Sequence, residues 1–192
     1  KPKVKDLIES CEIISINNVS TPRILATLVG KIVSLQLPLG QRALLMTKFL
    51  QIFINFWSYH SWDRKIKYDS SVKFALDYWR KLFSSESILK RSIYPSIPSD
   101  HLVLFTDAGG LGGGGFLSGI PNSTCHFYWN DFERNESSTF RELKALYYVI
   151  LSIPSYLKSQ NLLWCTDNKS CVSIVENGSM KPNVQAVAQA IF

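Results

Sequence analysis

Residues 102–117 read LVLFTDAGGLGGGGFL: four apolar residues run into an acid, Asp107, then a glycine-rich turn and a second apolar run. Apolar, β-prone runs bounded by glycine signal a strand, a tight hairpin and a returning strand. A buried strand is therefore expected over 102–106 and its partner over 114–118. An aspartate at the end of a buried strand is costly unless something positive sits on it. A metal ion is the natural candidate, because hard divalent cations take carboxylate oxygens.

Downstream the pattern continues with a third strand over 124–129, a polar loop over 131–138, and an amphipathic helix over 139–152, TFRELKALYYVILS. A fourth strand over 162–166 and a helix over 168–176 follow, closed by the glycine signal Asn177-Gly178-Ser179. Pro182 opens a last helix. Three strands, helix, strand, helix, helix is an α/β order.

Upstream, the periodicity is helical. Ser20-Thr21-Pro22 supplies an N-cap and a proline at the first helical position, before ILATLVGKIVSL. Gly30 inside that helix costs about 1 kcal/mol against alanine unless close packing needs it. A second helix is expected over 41–58, with Leu44, Leu45, Phe49, Ile52, Phe53 and Phe56 on its apolar side. A third is capped at Asp69 or Ser70 and carries Val72, Ala75, Leu76, Trp79, Leu82 and Phe83. The opening segment ends in EIISI, which reads as a short strand or the tail of a preceding element, so the chain reads as cut from something larger. The polar, proline-bearing connector over 84–100 marks the boundary between a helical domain, 1–95, and an α/β domain, 96–192.

With 46% hydrophobic and 19% charged residues over 192 positions, the chain has the composition of a packed protein. No apolar run reaches the roughly 18 to 20 residues of a membrane span. No signal peptide follows the first lysines. An intracellular protein, of cytoplasm or nucleus, is expected. The cysteines at 11, 125, 165 and 171 lack CxxC spacing and read as free thiols in a reducing compartment.

Charge is unevenly spread. Residues 1–95 carry 15 Lys+Arg against 7 Asp+Glu, net +8; residues 96–192 carry 6 against 8, net −2. This pattern fits a polyanion-gripping half joined to a metal-gripping half, or a solvated lysine-rich face. Tyr59, His60, Trp62, Tyr68, Tyr78 and Trp79 among the lysines either stack on bases or fill a helical core. The glycine run after Asp107 opens no helix, so it is no dinucleotide fingerprint, and no organic cofactor is expected.

Three carboxylates fall at element ends: Asp107, Glu142 and Asp167. If the first and fourth strands are parallel neighbours, Asp107 and Asp167 lie side by side, and Glu142 reaches them from the helix across the sheet. Each also has an ordinary explanation. Asp107 suits a turn before Ala-Gly-Gly. Glu142, three after Thr139, suits a capping box. Asp167 or Asn168 suits a helix N-cap.

The motifs FTDAGG…GGGGF, SSTFRELKAL and LWCTDNKSCVSIVENGS resemble the ribonuclease H domain of reverse transcriptases of DIRS-type retrotransposons. The segment before them, with RILATLVGKIVSLQ, SWD and ALDYWRKL, resembles the connection between polymerase and ribonuclease H in that family. The resemblance implies a ribonuclease H-like mixed sheet with flanking helices, preceded by a small all-helical thumb- or connection-like domain. It implies a two-metal endoribonuclease that cleaves the RNA strand of RNA/DNA hybrids. Asp107, Glu142 and Asp167 would be its catalytic, metal-ligating acids, holding two Mg²⁺ ions, with Mn²⁺ as a substitute.

The partners implied are an RNA/DNA hybrid or other nucleic acid and an upstream polymerase domain or other segments of a larger protein, with no membrane. Two departures stand out. The family usually has a bulky aromatic where this chain has Gly112–Gly115, which would leave the hairpin loose. Its fourth acid is expected beyond Phe192, since Glu176, just before the Asn-Gly-Ser cap, reads as a surface residue. The alternative is a non-catalytic, host-adopted scaffold of the same fold that binds nucleic acid or a protein partner.

Overall fold

The computed structural model describes the backbone of residues 2–84 and 101–192, and the side chains of 5–84 and 101–192. Beyond Ser84, the expected connector lies outside the described residues. Two compact units divide the chain: Lys1–Pro95 with Glu176–Pro182, and Ser96–Val175 with Asn183–Phe192. No helix among the described residues is long and apolar enough to cross a membrane.

The helical unit opens with α1 (Pro2–Asn17); EIISI, expected to be a short strand or the tail of a preceding element, is the last part of this helix. Leu7, Cys11 and Ile14 recur at helical spacing and are buried, whereas Ile13 and Ile16 face solvent. The period of 3.6 thus overrides the β-branched composition. A two-residue ladder follows, pairing β1 (Val19–Ser20) with β2 (Ile66–Lys67). α2 (Pro22–Val33) starts as its sequence dictates: Thr21 Oγ1 accepts the Ile24 amide at 3.3 Å, and Pro22 stands at the first turn.

The single helix expected over 41–58 is instead two, α4 (Arg42–Leu45) and α5 (Lys48–Ser58), after the short α3 (Gln36–Leu39). Buried Thr47 lies at the break. Its hydroxyl bonds the carbonyls of Ala43 at 2.7 Å and Leu44 at 3.1 Å, which competes with helix continuation. α6 (Ser70–Ser84) is capped by Asp69, whose Oδ1 accepts the Val72 amide at 2.8 Å. It buries Val72, Ala75, Leu76, Trp79 and Phe83, and Trp79 Nε1 donates to the Met46 carbonyl at 3.2 Å. α1 packs on α6 and α2 on α5.

The second unit is mixed α/β. Its four-stranded mixed sheet has the order β5-β4-β3-β6, from β3 (Leu102–Ala108), β4 (Gly112–Leu117), β5 (Cys125–Tyr128) and β6 (Leu162–Cys165). β3–β4 and β4–β5 are antiparallel; β3–β6 is parallel. Helix α8 (Ser138–Ser152) covers one face, packing Leu146, Val149 and Ile153 against Leu104 and Leu117. Trp164 Nε1 donates to Thr106 Oγ1 at 2.9 Å and ties β6 to β3.

The glycine run is not a loose hairpin. Gly112 to Gly115 open β4 itself: Gly113, Gly114 and Gly115 pair with both β3 and β5, and Gly112 pairs with Tyr128 of β5. The expected polar loop over 131–138 contains one turn of helix, α7 (Asp131–Arg134), closed by a capping box between Asn130 and Glu133. α9 (Pro154–Leu157), α10 (Lys169–Asn177) and α11 (Pro182–Ala190) complete the chain. Gly178 follows α10 at φ 75°, the left-handed conformation that glycine adopts freely at a helix end.

Candidate active site

Asp107 lies within β3, paired in register with Gly114, and not in the turn. Its side chain makes one short-range bond, Oδ1 accepting the Ala108 amide at 2.8 Å. β6 runs parallel beside β3 with Phe105 opposite Cys165. Two residues further along each chain stand Asp107 and Asp167, at the C-terminal ends of neighbouring parallel strands. Both are exposed.

The helix-capping explanation for Asp167 fails on the hydrogen bonds. Asn168 takes that role: its Oδ1 accepts the amides of Ser170 at 3.0 Å and Cys171 at 3.3 Å. The same holds for Glu142. Ser137, not Thr139, caps α8, accepting the Phe140 amide at 3.2 Å, so Glu142 sits five residues beyond the cap and outside any capping box.

Glu142 instead shares the stripe of α8 that carries Leu146 and Val149, the face turned to the sheet. It is only 8% exposed, and its Oε2 has no hydrogen-bond partner. Burial pushes its pKa up to about 7; the charges of Asp107 and then Asp167 push in the same direction, against the Ala108 amide and Arg141. The charges of both aspartates, from two neighbouring strand ends, thus bear on Glu142 of the helix. Cys171 adjoins α8, its Sγ 3.6 Å from the Thr139 carbonyl, and burial followed by the charges of Glu142 and Asp167 raises the thiol to about 12.

A buried carboxylate with an orphaned oxygen, under the charge of two exposed carboxylates, suits a hard cation in the kind of donor it offers. The donors are not drawn into a finished cage: among the described residues no three His, Cys, Asp or Glu side chains are grouped to hold a metal ion.

The sheet face away from α8 carries what sequence reasoning missed. β3 was read as buried throughout, yet Phe105 is 40% exposed and stacks on Phe116 of β4 with centroids 5.3 Å apart. Strand alternation turns Phe105 and Asp107 to one face and Leu104 and Thr106 to the other. Phe105 and Phe116, the glycine strand, His126, Tyr128 and Cys165 line a cavity of about 850 Å³, with Asp107 and Asp167 also in its lining. The alternation Leu104-Phe105-Thr106-Asp107 was the available signal; the unbroken apolar run before Asp107 concealed it.

The chain is 32% identical over 125 residues to the enzymatic polyprotein of carnation etched ring virus; the match takes in 62% of this chain and 17% of the viral protein. This is distant, partial similarity to one segment of a larger viral protein. No protein-family model and no solved structure matches the chain.

Proposed function

We propose that this chain is a ribonuclease H-type segment of a retroelement polyprotein, of the DIRS type in its motifs, which hydrolyses the RNA strand of RNA/DNA hybrids. The observation that carries the reading is Glu142: a buried carboxylate with a free oxygen, raised to about 7 with Asp107 and Asp167 among the causes. Such placement is costly unless the site uses it. The similarity to a viral enzymatic polyprotein supports the same reading.

In this account Asp107 and Asp167 present exposed oxygens at the strand ends, and Glu142 closes the site from α8. A bound divalent cation, Mg²⁺ or Mn²⁺, would supply Lewis acidity and a deprotonated water. Glu142 holds a proton below about pH 7 and releases it above, so its availability as a carboxylate ligand to a cation rises through neutrality. The cavity along the open sheet face gives a substrate strand access to the two aspartates.

The absence of a finished cage among the described residues favours a second reading, a scaffold of this shape without catalysis. Cleavage of a labelled RNA/DNA hybrid in Mg²⁺ and in Mn²⁺, beside Asp107→Asn, separates the two. Metal-dependent cleavage lost in the variant supports the nuclease. Hybrid binding without cleavage, equal in both proteins, supports the scaffold.

A further inference from the structure

Aromatic and basic residues intermingle between the end of α5 and the start of α6, and the structure sorts that mixture. Tyr68 and Trp79 are core, 5% and 0% exposed. Tyr59, 90% exposed, and Trp62, 44% exposed, are not. Large rings held in water at an element end do little for packing. Arg64, Lys65 and Lys67 follow on the same segment, all exposed, and no ion pair among the described residues engages them.

Nearby acids do not neutralise this charge. Asp63 is matched by Arg23, whose Nε and Nη2 reach its two oxygens at 2.7 and 3.0 Å. Asp69 is engaged at the cap of α6. The Arg23 amide also donates to the Trp62 carbonyl at 3.1 Å, and its guanidinium stands 6.0 Å from the Trp62 ring centroid. The segment is thus pinned to α2 while its rings and cations stay accessible.

We propose that Tyr59, Trp62, Arg64, Lys65 and Lys67 form a binding site for single-stranded nucleic acid, with bases stacked on the two rings and phosphates on the three cations. The charge complements a polyanion, and accessible ring faces suit unpaired bases, which a duplex keeps within its own stack. The site belongs to the helical unit alone and does not depend on Asp107, Glu142 or Asp167.

The test is fluorescence anisotropy of the whole chain with a labelled oligothymidine and with a DNA duplex of equal length, across a NaCl series in EDTA. For Arg64→Gln/Lys65→Gln/Lys67→Gln, the slope of log K against log salt on the single strand should become shallower by about 2, at about 0.7 per phosphate contact. For Tyr59→Ala/Trp62→Ala, single-strand affinity should fall about tenfold or more at unchanged slope, with duplex affinity retained. Tyr59→Ala alone removes a ring that is almost wholly in solvent, so its share of the loss cannot come from unfolding. Asp107→Asn should bind as the parent does, which separates this proposal from the nuclease reading. A parent that binds neither probe, a triple variant with an unchanged slope, or an aromatic variant that loses duplex and single strand equally overturns it.

Discussion

Glu142 shows how one side chain's position decides between capping and chemistry. A cap at Thr139 would have made it the reciprocal acid of a capping box, exposed and ordinary; the cap at Ser137 turns it under the helix instead. A raised folded-state pKa has a definite linkage. Between its ordinary range near 4.5 and about 7, the folded protein holds a proton on Glu142 that the unfolded chain has released. Stability from this group is therefore full below about pH 4.5 and declines as pH rises through about 7. In EDTA, the melting temperature of the parent relative to Glu142→Gln should fall across that window and level off above it. A parallel pH dependence in the two proteins would mean that Glu142 titrates normally. Thiols offer a second check. Cys11 and Cys171 are buried and both are raised to about 12, mainly by burial, while Cys125 and Cys165 are half-exposed. A thiol-reactive dye should label Cys125 and Cys165 in the native protein and reach the other two only on unfolding.

Helices and strands reveal their ends more readily than their neighbours. Thr21-Pro22, Asp69, Asn177-Gly178 and the hairpin around Asp107 were all legible, because caps and glycine turns depend on local chemistry. The strand alternative for EIISI fails: isoleucines at 13, 14 and 16 mask the helical spacing of Leu7, Cys11 and Ile14. The break at Thr47 depends on a side chain bonding back to its own helix, which periodicity does not register. α7 carried its capping-box signature, Asn130 to Glu133, in plain sight. The adjacency of Asp107 and Asp167 was conditional on β3 and β6 pairing in parallel, a fact of strand order rather than of either segment. Glycines divide sharply by environment. A Cβ on Gly30 in α2 would meet nothing within 4 Å, so Gly30→Ala should stabilise the protein by about 0.5–1 kcal/mol. A Cβ on Gly114 would stand 2.6 Å from the Cys125 carbonyl oxygen, and one on Gly115 2.5 Å from that of Phe105. Gly114→Ala and Gly115→Ala should each cost about 1–3 kcal/mol. Urea denaturation midpoints test all three substitutions; an unchanged midpoint for Gly114→Ala would show that β4 accepts side chains.

Among the described residues, the division of charge has structural addresses: cations outside any ion pair on the segment after α5, and two exposed carboxylates, Asp107 and Asp167, whose charges bear on Glu142 of α8. The nuclease reading requires those carboxylates to act together on a divalent cation, and binding to the folded state alone raises stability by about 2.7 kcal/mol at a hundredfold excess over Kd. The measurement to make is the melting temperature of the whole chain against Mn²⁺ concentration at pH 8, for the parent, Asp107→Asn, Glu142→Gln and Asp167→Asn. A saturable rise in the parent that each substitution abolishes or greatly weakens is the expected result. No rise in the parent, or the same rise in all four proteins, would contradict a shared cation site at Asp107, Glu142 and Asp167.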